Sequence, residues 1–310
     1  MKSFRSTYQT KKSALTIDYS QAVFLIGSCF SNNIAAYLTY RKFKVLSNPY
    51  GVLFNPISIF QSLEEIIQLK EYKEEELIAH NELQHSLAHH SDFSGLDKQE
   101  VINNINQNIV EAHQFLKNTS YLFITLGTAW VYKYNGSIVA NCHKIPNHQF
   151  GKVLLSVAEI QEAFPKFLKQ LREFNPKINI VFTLSPVRHL KDGFEENNLS
   201  KSILRTAIHE IQKVDAEIAY FPSYEIMLDD LRDYRFYESD MLHPNKDAIN
   251  YIWEKFKESY IKESDWTIMT RIENLQAAML HRPRFENTEA HRKHLEFIEK
   301  EKLYLAAFFE

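Results

Sequence analysis

A candidate nucleophile stands at residues 27–30 (GSCF), directly after a short apolar run. A strand, a tight turn at Gly27 and a helix N-terminus would place Ser28 and Cys29 beside backbone N–H groups and the positive end of a helix dipole. Such surroundings lower the pKa of a thiol or stabilise an oxyanion. The segment therefore predicts nucleophilic chemistry, with either side chain as the attacking group.

A candidate acid–base pair lies at residues 239–245 (SDMLHPN), where Pro244 can begin a helix. Asp240 and His243 are three residues apart, so the carboxylate can reach one imidazole nitrogen. That contact fixes the tautomer and leaves the other nitrogen to take a proton from a nucleophile. The alternative is a helix-start carboxylate next to an ordinary surface histidine.

Other polar groups follow the remaining strands and are candidates for oxyanion donors or substrate contacts. Each also has an ordinary explanation, such as a turn glycine, a loop hydrogen bond or a residue at the rim of a pocket. The candidates are Gly51, Asn55, Gly127, Thr128, Trp130, Asn141, His143 and Ser185.

The elements that must position these groups are short apolar runs alternating with segments of helical period. The predicted strands are 22–26, 44–46, 121–126, 178–184 and 217–221. This alternation predicts an α/β fold, a parallel sheet in a three-layer α/β/α arrangement, most simply of flavodoxin-like order. Ligands bind at the carboxyl ends of strands in such sheets, which is where the candidate groups fall. Asn135 and Gly136 predict a hairpin turn inserted beside the main sheet.

Two parts of the chain are expected. Residues 1–262 form the α/β/α domain, and residues 263–310 form a helical C-terminal extension that packs on or beside it. A stripe of Leu295, Ile298, Leu305 and Phe309 would cover the core, cover the site or mediate a homodimer.

Composition excludes several classes of function. The 36 Lys and Arg against 39 Asp and Glu form no dominant basic run, so nucleic acid is not an expected ligand. The seven glycines form neither dinucleotide nor P-loop phosphate motifs, and no cofactor is expected. Two cysteines and no apolar run of about 18 residues indicate a cytoplasmic protein without a membrane span. His85 and His89 have helical metal-ligand spacing but lack a third ligand, so no metal is expected.

Together these motifs resemble the SGNH or GDSL hydrolase superfamily. A narrower resemblance, to the GSCFA family, is carried by the segments GSCFS, NPYGVLFNP and LGTAWVY. In the first of them Ser31 replaces the final Ala of the family's motif. The match covers residues 24–253. The resemblance implies an α/β/α fold with nucleophile, Asp and His in that chain order, acting on acyl esters or transferring acyl groups. Aligning G-D-S on Gly27 makes Cys29 the first choice of nucleophile and Ser28 the second.

The sequence departs from the superfamily pattern at the oxyanion donor. Aligning G-x-N-D on Gly127 places Ala129 where the donor Asn would be and Trp130 where the acid would be. Another group must therefore replace the missing donor, with Thr128, Asn55 or Asn141 as candidates.

The predicted function is an acyl-ester hydrolase or acyltransferase acting on an acylated glycan or small molecule, with acyl-CoA as an alternative co-substrate. A different class of protein, a non-catalytic module that binds a glycan or an acyl carrier, would keep the same fold and would explain the lost Asn at position 129. Metal-assisted hydrolysis by Asp240, His243 and the histidines of residues 80–90 is a third hypothesis.

Overall fold

A computed structural model describes residues 6–14 and 16–309, and all statements below refer to them. The strands are β1 (Ala22–Gly27), β2 (Lys44–Ser47), β3 (Leu77–His80), β4 (Leu83–Ser86), β5 (Thr119–Leu126), β6 (Trp130–Tyr134), β7 (Ser137–Val139), β8 (Gly151–Leu154), β9 (Asn179–Leu184) and β10 (Ala219–Phe221). The helices are α1 (Cys29–Tyr40), α2 (Pro56–Ile67), α3 (Lys98–Lys117), α4 (Val157–Phe174), α5 (Phe194–Val214), α6 (Ser223–Glu225), α7 (Lys246–Tyr260), α8 (Trp266–Leu280) and α9 (Glu289–Phe309).

The central sheet is parallel and has the order β10-β9-β5-β1-β2 in the described chain. This is the predicted flavodoxin-like order, and all five predicted strands are present. Gly27 lies opposite Thr125, and Leu126 lies opposite Leu184. The carboxyl ends of β1, β5 and β9 are therefore level, and the turns that follow them share one edge of the sheet.

Alternate residues of the strands bury against helices on opposite faces. Phe24 and Ile26 join the core formed with α2, α3, α4 and α5, whereas Val23 and Leu25 join the core formed with α1 and α7. Successive side chains of a strand point to opposite sides of a sheet, so an unbroken apolar run such as AVFLI requires helices on both. The three-layer prediction is confirmed.

The predicted hairpin joins β6 and β7. Asn135 and Gly136 both have positive φ, 47° and 84°. A two-residue turn with this backbone matches the right-handed twist of the strands, which is why Asn-Gly favours it. β8 pairs with the other side of β6.

The C-terminal helices pack on each other and on the sheet domain. Ile298 and Leu305 of the predicted stripe are buried, whereas Leu295 and Phe309 are exposed. Arg271 in α8 donates two hydrogen bonds to Glu301 in α9, at 2.8 and 2.9 Å. No helix in the described residues combines the length and apolarity that crossing a membrane requires.

The segment before β1 lies against the end of α7. The Ile17 N–H donates to the Tyr260 carbonyl at 2.6 Å, and the Lys262 N–H donates to the Ile17 carbonyl at 3.0 Å. Ser13 adds a third backbone bond to Ser259 at 2.8 Å. These bonds fix the first described residues to the junction between α7 and α8.

Candidate active site

The turn after β1 separates the two candidate nucleophiles. Ser28 is fully buried and is the N-cap of α1, with its hydroxyl accepting the Phe30 N–H at 3.3 Å. Cys29 is the first residue of α1 and is partly exposed. Capping satisfies an otherwise unpaired helix N–H and uses the Ser28 hydroxyl. Cys29 is therefore the more accessible of the two.

Close contact with β5 and with the loop after β2 holds this turn in place. Gly27 has φ +129°, and a Cβ there would lie 2.1 Å from the Thr125 carbonyl oxygen, so only glycine fits. Its N–H donates to Asn48 Oδ1 at 2.8 Å, and Asn48 Nδ2 donates to Asn32 Oδ1 at 2.7 Å. The position of Cys29 is thus set by the sheet itself.

Burial raises the pKa of the Cys29 thiol, while the N–H groups of Cys29 and Phe30 and the charge of Lys201 act in the opposite direction. The sequence-based expectation of a thiolate at neutral pH is therefore wrong. The helix start does favour the thiolate as predicted, but the loss of hydration outweighs it. Cys29 is a thiol near neutral pH and needs a base to react.

Asp240 and His243 form the predicted pair. Asp240 Oδ2 lies 2.6 Å from His243 Nδ1, and Asp240 Oδ1 accepts the N–H groups of Leu242 and His243 at 2.8 and 3.0 Å. The N–H of His243, followed by that of Leu242, lowers the pKa of Asp240 to about 2. The ionised carboxylate keeps the proton on Nδ1, so Nε2 of the neutral ring is an acceptor. Both side chains are about half exposed, at 48% and 45%.

Backbone hydrogen bonds connect the loops along this edge of the sheet. Leu53 N–H donates to the Gly27 carbonyl at 2.9 Å, and Ser185 N–H donates to the Leu126 carbonyl at 2.8 Å. Arg188 N–H donates to the Leu242 carbonyl at 3.1 Å, which fixes the loop of His243 to the segment after β9. In the described chain no hydrogen bond joins Cys29 to His243.

Lys201 is a group at this edge that sequence reasoning missed. It lies in α5 and is 2% exposed, with Nζ donating to the Ser185 carbonyl at 2.7 Å. Burial lowers its pKa to about 7, the charge of Arg188 acts in the same direction, and Cys29 opposes them. Lysine in a helical segment normally faces solvent, so the sequence held no signal for it.

His189 lies four residues after Ser185, in the segment that follows β9. Its ring lies edge-on to Phe54, with ring centres 5.4 Å apart. Burial lowers its pKa to about 4, and the charges of Lys201 and His243 add to this effect. Electrostatic interactions therefore link Cys29 to Lys201, Lys201 to His189 and His189 to His243.

Two of the predicted oxyanion donors are used within their own loops. Gly51 donates its N–H to the Asn48 carbonyl at 2.7 Å, so the prediction that this backbone group faces an oxyanion is wrong. Asn55 is the N-cap of α2; its Oδ1 accepts the Ser58 N–H at 2.8 Å, and its Nδ2 donates to Ser58 Oγ at 2.9 Å. Both residues shape loops rather than present free donors.

The strand end after β5 is also internally bonded. Gly127 N–H and Thr128 N–H both donate to the Phe54 carbonyl, at 2.8 and 3.0 Å. Thr128 Oγ1 lies 3.0 Å from Ser200 Oγ and accepts the Trp130 N–H at 3.1 Å. The expectation of a free backbone donor at Gly127 or Thr128 is therefore wrong, and the Thr128 hydroxyl stays a predicted donor. The Trp130 ring packs against the Lys152 ammonium.

The remaining candidates divide between two places. Asn141 Oδ1 accepts the His143 N–H at 2.9 Å, and His143 Nε2 lies 2.7 Å from the Ser86 carbonyl. His143 also stacks on His85, so these groups belong with the β3–β4 hairpin. Ser185 is fully buried at the edge and offers its carbonyl to Lys201, so it holds the lysine rather than a substrate.

The histidines of residues 80–90 do not lie on a helix. His85 is in β4, with Nδ1 2.7 Å from Ser94 Oγ and Nε2 3.1 Å from the His80 carbonyl. His89 Nδ1 lies 2.8 Å from Ser86 Oγ. The described part of the chain places no three His, Cys, Asp or Glu side chains together as a metal site.

A parallel α/β/α sheet with a turn of this kind after its first strand and an Asp–His pair before its last core helix is the arrangement that the resemblance to the SGNH/GDSL superfamily implied. The chain belongs to the GSCFA family, whose model matches residues 22–256.

No curated protein matches the chain. Among solved structures, a carbohydrate esterase family 3 protein from Talaromyces cellulolyticus is 10% identical, with 82% of this chain and 99% of that chain covered and a TM-score of 0.37. An acetyl xylan esterase from Butyrivibrio proteoclasticus is 11% identical, with 85% and 65% covered and a TM-score of 0.39. A carbohydrate esterase family 2 enzyme with its carbohydrate-binding domain, from Corynascus thermopiles, is 18% identical, with 44% and 35% covered and a TM-score of 0.29. This chain thus spans about a third of the Corynascus protein's length.

Proposed function

We propose that this protein is an acyl-ester hydrolase in which Cys29 is the nucleophile, His243 the general acid and base, and Asp240 the group that orients His243. The observation that carries the proposal is the 2.6 Å contact between Asp240 Oδ2 and His243 Nδ1, which leaves His243 Nε2 as an acceptor. The loop of this pair is bonded to the sheet edge at which Cys29 begins α1.

The reaction follows from these roles. His243 Nε2 takes the thiol proton of Cys29 while sulfur bonds to the ester carbonyl carbon and the C=O electron pair moves to oxygen. Collapse of this oxyanion breaks the C–O bond, and the departing alkoxide takes the proton from His243. Water, deprotonated by His243, then attacks the thioester carbonyl. Collapse of this second tetrahedral intermediate breaks the C–S bond and releases the carboxylic acid, and the departing thiolate takes the proton from His243.

The raised pKa of Cys29 makes the base essential at neutral pH, because little thiolate forms without it.

The half-exposed His243 suits an acyl group carried on a larger molecule, since the loop that presents it is open to solvent. We therefore favour an acylated glycan as substrate, with an acylated small molecule as the alternative. Cys29 and Cys142 are both free, and a cysteine nucleophile must stay reduced, so we place the enzyme in the cytoplasm.

A second candidate is acyl transfer, favoured by the partly buried thiol. The acyl-enzyme would be a thioester, which can form from another thioester such as acyl-CoA and can pass its acyl group to a hydroxyl. Partial exclusion of water around Cys29 would favour an acceptor other than water. The two reactions share every step up to the acyl-enzyme.

The test is intact mass after incubation with p-nitrophenyl acetate or acetyl-CoA. We expect an acetyl adduct on the wild type and on Cys142→Ala, the matched variant at the other free cysteine, but not on Cys29→Ala. An adduct lost in Ser28→Ala and kept in Cys29→Ala would transfer the role to Ser28. No adduct and no turnover in any protein would refute the enzyme and favour the non-catalytic glycan- or acyl-carrier-binding module.

A further inference from the structure

His189 Nε2 is buried and has no hydrogen-bond partner among the described residues. A buried polar group without a partner normally costs stability and calls for a functional or structural reason. His189 itself is well anchored, since its backbone N–H donates to Asn197 Oδ1 at 2.8 Å and its ring packs edge-on to the Phe54 ring. These two contacts fix the position of the ring, and its Nε2 has no partner in the described chain.

That nitrogen lies over the end of β5. A Cβ added to Gly127 would lie 3.2 Å from His189 Nε2 and 3.2 Å from the Phe54 ring, closer than ordinary van der Waals contact, so the absence of a side chain at Gly127 lets the His189 ring approach this strand end. Phe54 follows Leu53, whose N–H donates to the carbonyl of Gly27, two residues before Cys29. His189 therefore points its free nitrogen at the strand end nearest the nucleophile turn.

The backbone donors at the same strand end are already used. Ala129 is fully buried, and its N–H donates to Ser200 Oγ at 2.8 Å. The backbone N–H groups of Gly127 and Thr128 both donate to the Phe54 carbonyl, as described above. An acyl-enzyme mechanism needs a donor here, because negative charge develops on the carbonyl oxygen as sulfur attacks.

We propose that His189 donates the Nε2–H hydrogen bond that stabilises the oxyanion formed when Cys29 attacks a carboxylic ester or thioester. This inference rests on the proposed function of Cys29 and adds a catalytic residue that the sequence motifs did not assign. The hydrogen bond strengthens as the C=O pair moves to oxygen and relaxes when the C–O bond breaks, so His189 neither gains nor loses a proton.

The electrostatics of the site fit this role. Burial and the charges of Lys201 and His243 hold the pKa of His189 near 4, so the ring is neutral over the physiological range. A neutral imidazole is a hydrogen-bond donor through one nitrogen only, and it keeps that donor without competing with His243 for the transferred proton. Two imidazoles at one edge thus take different tasks.

The test compares two reactions of Cys29, because only one of them forms an oxyanion. Acylation by p-nitrophenyl acetate passes through a tetrahedral oxyanion, whereas alkylation by iodoacetamide displaces iodide directly and does not. For His189→Phe we expect the acylation rate to fall about 10²- to 10³-fold and the alkylation rate to stay within about twofold. His189→Gln, whose amide can donate, should recover part of the acylation rate.

The matched control is His113→Phe, since His113 is also part-buried beside a phenylalanine ring but lies in α3. It should leave both rates unchanged. Equal loss of acylation and alkylation in His189→Phe and His189→Gln would show that His189 only supports the thiol, and an unchanged acylation rate would also overturn the inference. A wild type that is alkylated but never acylated at Cys29 would refute the proposed function instead. If His189→Phe does not fold, His189→Gln decides through the same ratio of rates.

Discussion

Replacing Lys201 by Met should make the protein more stable at acidic pH, although it removes a hydrogen bond to the Ser185 carbonyl. The cause is the burial of an ammonium group without a carboxylate partner in the described chain. Burial lowers the pKa of Lys201 from 10.5 to about 7. At about 1.4 kcal/mol per pKa unit, this shift amounts to roughly 5 kcal/mol, as an order of magnitude.

The direction of the pH dependence follows from proton binding. Between about pH 7 and the unfolded value of 10.5, the unfolded chain keeps the Lys201 proton and the folded chain has lost it. Stability contributed by this group therefore rises with pH across that interval, and the full penalty applies below about pH 7. The advantage of Lys201→Met over wild type should be a few kcal/mol at pH 6 and should shrink towards pH 10.

Urea unfolding at pH 6, 8 and 10 measures this difference. Lys213→Met is the control, because Lys213 lies on the same helix with its side chain exposed, and it should show no such trend. Subtracting the free energy of unfolding of wild type from that of Lys201→Met at each pH cancels the titration of all the groups that the two proteins share. A wild-type minus Lys201→Met difference that is constant with pH, or a variant less stable at pH 6, would refute the reasoning.

Three further outcomes are expected. The rate of iodoacetamide alkylation at Cys29, followed by peptide mass spectrometry, should keep rising above pH 9, because burial raises the thiol pKa; a plateau near pH 7 would contradict this. Asp240→Asn should lower kcat/KM on p-nitrophenyl acetate by about 10³- to 10⁴-fold, because His243 would adopt the wrong tautomer. The urea midpoint should stay unchanged, since both side chains are half exposed. A loss of kcat/KM below tenfold would count against the catalytic pair. If the exposed face of α9 joins two copies, sedimentation should show a dimer for wild type and a monomer for Leu303→Glu, and a monomeric wild type would end that idea.

The fold was predictable because its signals are local and repeated. Each core strand is a short run of apolar residues, and such a run has few uses other than a strand covered on both faces. The contact between Asp240 and His243 was equally predictable from the sequence, since the two residues are only three positions apart in one loop. These features need no knowledge of distant parts of the chain.

The errors arose where a group's actual contacts, near or far along the chain, decide its role. Gly51 was expected to aim its N–H at a substrate, but Asn48 takes a left-handed conformation, with φ 46°, and its carbonyl accepts that N–H instead. The thiol of Cys29 was expected to ionise easily, but its burial depends on elements far along the chain. Lys201 carried no signal at all, because its burial follows from where α5 packs.

The backbone bonds between the first described residues and the end of α7 bear on the order of assembly during synthesis. Ile17 pairs with Ile261, about 240 residues later in the chain. Contacts between residues so far apart in the sequence form late in folding, because closing the long intervening loop costs conformational entropy before the contact adds any stability. The segment ahead of β1 is therefore synthesised before α7 and docks only after it. Until α7 leaves the ribosome, the apolar Ile17 and the β1 face that packs against α7 remain uncovered, and exposed apolar surface of this kind promotes aggregation.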